Sequence, residues 1–386
     1  MTDSSKWPGL PPGIESRTLK VNDLEMHIFE ALPPNSPGTS APLVILLHGF
    51  PELAYSWRKV IGPLSEAGYH VVAPDQRGYG RTKSSQTGFP IQYQDDLNPF
   101  RMTNLVRDIL ALVFTLGYES VAAIVGHDFG SPVAAYCALI RPDVFKSVVM
   151  MSSPFTGPPK LVLGNTTFSL DLKQLAAALA ALDPPRKHYV LYYSTPDANA
   201  DMMNSPGGLH AFLRAYYHAK SADWDHNEPH PLVAPPVSVM AELPHYYVMR
   251  MDQNMPESVY ESRPSAEEIS RNAWMTEEEL GVYVAEYRRT GFQGGLNAYR
   301  MATSPTWSSD RELFSGKQIE VPAMFLAGKQ DWGTYQWPGA AETMKEKACK
   351  NMNDFVLIDG AGHWVQQEQS GEVVNQLLRF FRKSAK

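Results

Sequence analysis

Asp128 stands at the centre of the pentapeptide Gly126-His127-Asp128-Phe129-Gly130. An apolar run, Val121 to Val125, reads as a short buried strand leading into it. From Ser131 the residues turn helical, with Val133, Ala134, Tyr136, Cys137 and Ile140 apolar as far as Arg141-Pro142. Strand, sharp turn, helix, with small residues two before and two after a central one, is the pattern of a nucleophile elbow. Glycines at an ordinary strand-to-helix turn would look similar, so the partners decide. In this arrangement an acid and then a histidine follow the nucleophile in chain order, each past a late strand. Asp331, after Phe325-Leu326-Ala327-Gly328, and His363, after Ile358-Asp359-Gly360-Ala361-Gly362, meet that order. Taken singly, Asp331 also fits a helix N-cap and His363 an ordinary loop histidine. Together with Asp128 they form a set.

Aspartate at the elbow points to a particular chemistry. A serine hydroxyl must lose its proton to attack, and the histidine serves that step. A carboxylate with an ordinary pKa of about 3.9 is already charged at neutral pH, which leaves His363 to activate water. Carboxylate attack on an acyl carbon gives an anhydride, a poor route to ester hydrolysis. Attack on a saturated carbon gives an alkyl ester that water can cleave, whereas serine would leave a stable ether. The residues therefore indicate displacement at sp3 carbon, in an epoxide or a haloalkane. The backbone N–H groups of Phe50, after the third strand, and Phe129, after the nucleophile, are expected to form the oxyanion hole.

The elements that must position these groups are legible along the chain. Arg17–Val21 and Glu25–Ala31 read as strands about the turn at Asn22-Asp23. Leu43–Leu47 is a continuous apolar run, as in a strand buried on both faces, and His70–Ala73 is the next strand. Leu53–Ala67 and Met102–Leu116 read as helices. Phe145–Met151 is a sixth strand. Alternation of helix with apolar strand indicates an α/β fold with a mostly parallel sheet. Residues 156–304 have no comparable strand run. They hold 11 of the 18 tyrosines and helical stretches such as Leu172–Leu182 and Glu277–Arg289, the latter opened by a capping box, Thr276 with Glu279. Strands resume at Val321–Leu326 and Asp354–Ile358, and Gly371–Arg382 closes the chain as a helix. The expected division is a core of residues 1–155 and 305–386, with 156–304 as a helical insertion after the sixth strand. The polar loop 81–100, with Tyr93, Asp95 and Asp96, is expected to pack on the surface rather than shape a pocket.

Composition sets the bounds. A 44% hydrophobic and 19% charged chain of 386 residues is that of an ordinary globular protein. The net charge of −7 gives no reason to expect a nucleic-acid partner. No run of about 18 apolar residues marks a membrane span, and the N-terminus lacks the basic and apolar regions of a signal peptide. Cys137 and Cys349, without metal-binding spacing, are expected as free thiols in a reducing, cytoplasmic setting. The sequon at Asn165 is then expected to be fortuitous. His218, His226 and His230 with Asp223 and Asp225 show no metal-ligand spacing, and no metal or cofactor is expected.

With these residues in view, His48-Gly49-Phe50-Pro51, Asp75-Gln76-Arg77-Gly78-Tyr79-Gly80, Gly126–Gly130, Asp331 and Gly362-His363-Trp364 resemble the epoxide hydrolases of the α/β-hydrolase superfamily. The resemblance spans about residues 17 to 382. It implies that fold, a helical cap, a small apolar epoxide as substrate, and two cap tyrosines that hydrogen-bond the epoxide oxygen. The segment His188-Tyr189-Val190-Leu191-Tyr192-Tyr193 resembles the first site and points to Tyr189, although Tyr192 and Tyr193 share its helical spacing. Leu296-Asn297-Ala298-Tyr299-Arg300 resembles the second and points to Tyr299. His48, Pro51 and Trp364 flank the catalytic groups and are expected on the pocket wall. A cis peptide at Pro51 would orient the HGFP turn, but the ordinary preference is trans. Haloalkane dehalogenases share parts of the pattern. Phe129 stands where tryptophan is frequent in both families, and its ring has no N–H for a halide. A non-catalytic small-molecule binder of the same fold would have no need of the full set.

Overall fold

In the computed structural model, residues 7–34, 41–161, 172–233, 237–304, 306 and 309–385 are described; Asn165 lies outside them. The strands are β1 (Glu15–Val21), β2 (Leu24–Ala31), β3 (Leu43–Leu47), β4 (His70–Pro74), the two-residue β5 (Lys83–Ser84), β6 (Ala123–His127), β7 (Val148–Met151), β8 (Arg186–His188), β9 (Val248–Arg250), β10 (Ala323–Gly328) and β11 (Met352–Ile358). One sheet runs in the order β1-β2-β4-β3-β6-β7-β10-β11, with β5 beside β2. β1 and β2 pair antiparallel, as do β2 and β4. From β4 to β11 every pairing is parallel.

Side chains alternate across each parallel strand, and here both faces are covered. Val44, Leu46, Val125, Met151 and Leu326 belong to one apolar cluster. Leu43, Ile45, Leu47, Ile124, Val148 and Phe325 belong to the other. That two-sided burial is why these strands read as continuous apolar runs rather than alternating ones. Val121 and Phe145, expected as strand starts, form only an isolated bridge to each other.

The order in which strands are added reverses at β3: β4 lies on one side of β3 and β6 on the other. In open parallel sheets ligands bind outside the carboxyl ends of the strands at such a switch point. Phe50 follows β3 and Asp128 follows β6, while Asp331 and His363 follow β10 and β11. All four groups therefore emerge along one edge of the sheet.

Between β7 and β10 the chain forms a set of helices, among them Tyr189–Tyr193, Gly208–Ala219, Glu277–Thr290 and Gln293–Thr303. It also forms a two-stranded antiparallel sheet, β8 with β9, which the sequence did not suggest. The Thr276–Glu279 capping box is present, and Gly291 with φ 65° ends that helix. Phe212, Tyr283, Leu296 and Tyr299 of this segment share one apolar cluster with Phe50, Val125 and Leu326, so no separate core divides the insertion from the sheet. Buried Arg58 spans the junction: it donates to Glu279 at 2.8 Å, to the Gln367 side-chain oxygen at 2.7 Å and to the Trp274 carbonyl at 3.2 Å. No described helix is long and apolar enough to cross a membrane.

Candidate active site

Asp128 sits at φ 51°, in the left-handed region that disfavours a side chain. The turn is held tight by its glycines. A Cβ on Gly126 would collide with the Gly130 backbone, and one on Gly130 with the Leu47 carbonyl. Any larger residue would push the helix Gly130–Ile140 off the sheet and lower the nucleophile. The Phe50 N–H donates to Asp128 Oδ1 at 2.9 Å. His363 Nε2 lies 3.3 Å from Asp128 Oδ2, and His363 Nδ1 lies 3.0 Å from Asp331 Oδ1. Asp331 Oδ1 also accepts the Gly333 N–H at 2.7 Å, capping the short helix Trp332–Thr334. Asp331 thus caps this helix and contacts the imidazole with the same oxygen, and the cap fixes the carboxylate that orients the ring.

Burial opposes the charged form of Asp128, yet His363, Lys220 and His127 together hold its carboxyl well below the ordinary value. Asp331 is likewise held low against burial, by His363, Ser152 and the Gly333 N–H. Both carboxylates are ionised through the physiological range.

Tyr189 and Tyr299 face one another over the elbow, ring centroids 5.8 Å apart. Tyr299 packs edge-on against Phe129 at 4.5 Å and Phe50 at 5.6 Å. Its helix begins Gln293-Gly294-Gly295 because the backbone there lies against the Gly78 carbonyl with no room for a Cβ at Gly294. The Tyr189 hydroxyl donates to Gln336 Oε1 at 3.2 Å. Of the two other tyrosines of its segment, Tyr192 donates to Asp201 at 2.8 Å, whereas Tyr193 packs on Tyr299 at 4.8 Å and on Phe50 at 5.4 Å, with its hydroxyl given to that of Tyr216 at 3.3 Å. Burial, with Asp128 nearby, pushes both facing phenols well above their ordinary value, so each stays a proton donor.

His48, Pro51 and Trp364, expected on the pocket wall, are all buried. His48 is fully buried, with Nδ1 against the Gly49 carbonyl and Nε2 accepting the Gln76 N–H. The Pro51 carbonyl accepts the Tyr217 hydroxyl at 2.8 Å. Its peptide bond is cis, against the ordinary preference. Trp364 donates to the Tyr217 carbonyl at 2.8 Å and packs on the His363 ring. In each case the polar atoms are taken by partners within the protein, which makes these residues support for the site. The loop 81–100 is mostly exposed, and its Tyr93 hydroxyl donates to the Ser194 carbonyl. His218, His226 and His230 do not converge: they bind the Ser262 carbonyl, Asp225 and Glu242 respectively.

Two features had been given no role from sequence. Glu52 is fully buried and pairs with His127 at 2.6 Å, while His127 Nε2 reaches the His363 carbonyl at 2.7 Å. Against burial, His127 holds the Glu52 carboxyl low and Glu52 holds the His127 imidazole up. The signal was a glutamate directly after HGFP, which needs a cation once buried. Lys220 is buried among the rings of Tyr216, Tyr246, Tyr247 and Trp364, its Nζ 4.8 Å from the Tyr247 centroid. Burial pushes this ammonium down while Asp128 and Asp331 pull it up. Its signal was two tyrosines three and four residues earlier on one helix.

An elbow nucleophile at the switch point, with its acid and histidine past the last strands, defines an α/β-hydrolase, and residues 42–184 match the family described as alpha/beta hydrolase fold. The chain belongs to the epoxide hydrolases within that fold. It is 33% identical to epoxide hydrolase A of Mycobacterium tuberculosis over 94% of this chain and 96% of that one. It is 30% identical to epoxide hydrolase 3 of Siraitia grosvenorii over 96% and 99%. Among solved structures it is similar to an epoxide hydrolase from an endophytic Streptomyces, with a TM-score of 0.75 at 27% identity, covering 96% of each chain.

Proposed function

We propose that this epoxide hydrolase works through a covalent ester on Asp128. The Phe50 N–H holds Oδ1, which leaves Oδ2 to attack a ring carbon. As the carbon–oxygen bond breaks, its electron pair stays on the epoxide oxygen, which takes a proton from Tyr189 or Tyr299. His363, oriented by Asp331, then removes a proton from water. That water attacks the Asp128 carbonyl carbon, and the tetrahedral oxyanion is met by the N–H groups of Phe50 and Phe129. Collapse expels the alkoxide, which takes the remaining proton of the attacking water and leaves as a vicinal diol, restoring the carboxylate. The proton held by His363 returns to the tyrosinate, and every group ends as it began. The ring-lined surroundings suit a small apolar epoxide.

The observation that carries this reading is a carboxylate, held ionised at the elbow, with an N–H on one oxygen and an imidazole 3.3 Å from the other. In single turnover in heavy-oxygen water, the first diol is expected to carry the enzyme's own oxygen, with the label entering Asp128. Solvent oxygen in that first diol would overturn the covalent route. Diol formation against halide release separates the reading from haloalkane chemistry, for which the Phe129 ring offers no N–H donor.

A further inference from the structure

The loop that carries His363 is bonded both to the core below it, through Asp331, His127 and Ser152, and to the insertion above it. The His363 N–H donates to the Lys220 carbonyl at 2.8 Å. The neighbouring Trp364 indole donates to the Tyr217 carbonyl. Gly362 lies against the backbone of Ser221 and Ala222, with no space for a Cβ. Glu368, one turn further on, closes this contact. Its Oε2 accepts the N–H groups of Gly362 at 2.9 Å and Ala222 at 2.8 Å, and its Oε1 accepts that of Trp364 at 2.9 Å. One carboxyl group, its pKa pushed up to about 8 by burial against the pull of these three N–H groups, thus gathers the residue before the catalytic imidazole, the residue after it, and the segment just past an insertion helix.

We infer that Glu368 is a positioning residue for the second half-reaction, holding His363 at the range from which it can take a proton from water. The elbow is built without it: Asp128, the Phe50 N–H, Tyr189 and Tyr299 make no hydrogen bond to Glu368. Its loss therefore moves the base and leaves the nucleophile in place. This rests on the covalent reading above.

Glu368→Gln separates the possibilities, because whichever way the amide turns, its NH2 faces a backbone N–H. Rapid quenching with mass analysis of the Asp128 peptide follows ester formation and ester loss separately. Expected is ester formation near the wild-type rate and ester hydrolysis slower by about 10²-fold, the scale of an ångström-sized misplacement, so that ester accumulates at steady state. Gly362→Ala, which forces the same loop from the other side, is expected to show the same split. It decides the matter if the Glu368 variant does not fold. Unchanged turnover, or an equal loss in both half-reactions, would overturn the inference. His363→Gln serves as reference: if it accumulates no ester, the covalent reading itself has failed. If it does and the Glu368 and Gly362 variants do not, only the positioning role is lost.

Discussion

At the scale of single residues, the proposed route separates the site into groups that make the ester and groups that break it. Tyr299→Phe removes a donor that acts only while the alkoxide forms. Ester formation is expected to slow by about 10²-fold while hydrolysis of ester already formed is little changed, as stopped-flow single turnover would resolve. Tyr189→Phe should act in the same direction. The two losses should not simply multiply, because both hydroxyls serve one oxygen. The charges predict a pH dependence as well. Asp128 is held below its ordinary value, so it remains a carboxylate as the medium is acidified. In single turnover, ester formation followed by mass should therefore persist at about pH 5, where even a free carboxylate is still mostly ionised. Loss of ester formation at that pH would contradict the role given to Asp128.

At the scale of elements, the elbow depends on how closely one helix approaches two strands. Gly130→Ala places a methyl against the Leu47 carbonyl, and overpacking of this kind costs about 1–3 kcal/mol. A lowered midpoint in denaturant is expected, with a larger fall in turnover as the nucleophile is displaced. The same elements explain what could be read in advance. Strands buried on both faces announce themselves as apolar runs, and each catalytic group stands directly past one of them, so Asp128, Asp331 and His363 could be assigned in order. The strands β8 and β9, three residues each, are too short for any period to register. Glu52 with His127, and Glu368 with Ala222, are contacts across 75 and 146 residues. Nothing local marks them except a carboxylate in a place where burial forbids it to stand alone. The partners of His48 and Trp364 are not legible, because neighbouring the catalytic residues in sequence does not fix which way a side chain turns.

At the scale of the whole molecule, the insertion and the sheet hold together through a few buried polar contacts set in a continuous apolar core. Arg58→Met would leave Glu279, largely buried, with only Lys59 at 3.9 Å, and removing one partner of a buried pair costs up to about 3–5 kcal/mol. Thermal melting should show the loss, and adding Glu279→Met should recover much of it. The contact between residues 217–222 and the loop from Gly362 to Glu368 has a consequence for recombination. Exchanging insertions between relatives is a natural way to alter substrate range, and a boundary drawn at the ends of the insertion looks clean on paper. It would leave half of a shared backbone network behind. A transplanted insertion that does not offer acceptors matching Lys220 and Tyr217, and an N–H matching Ala222, would arrive over a histidine loop cut for another lid. The unit to move is therefore discontinuous: residues 156–304 together with 362–368.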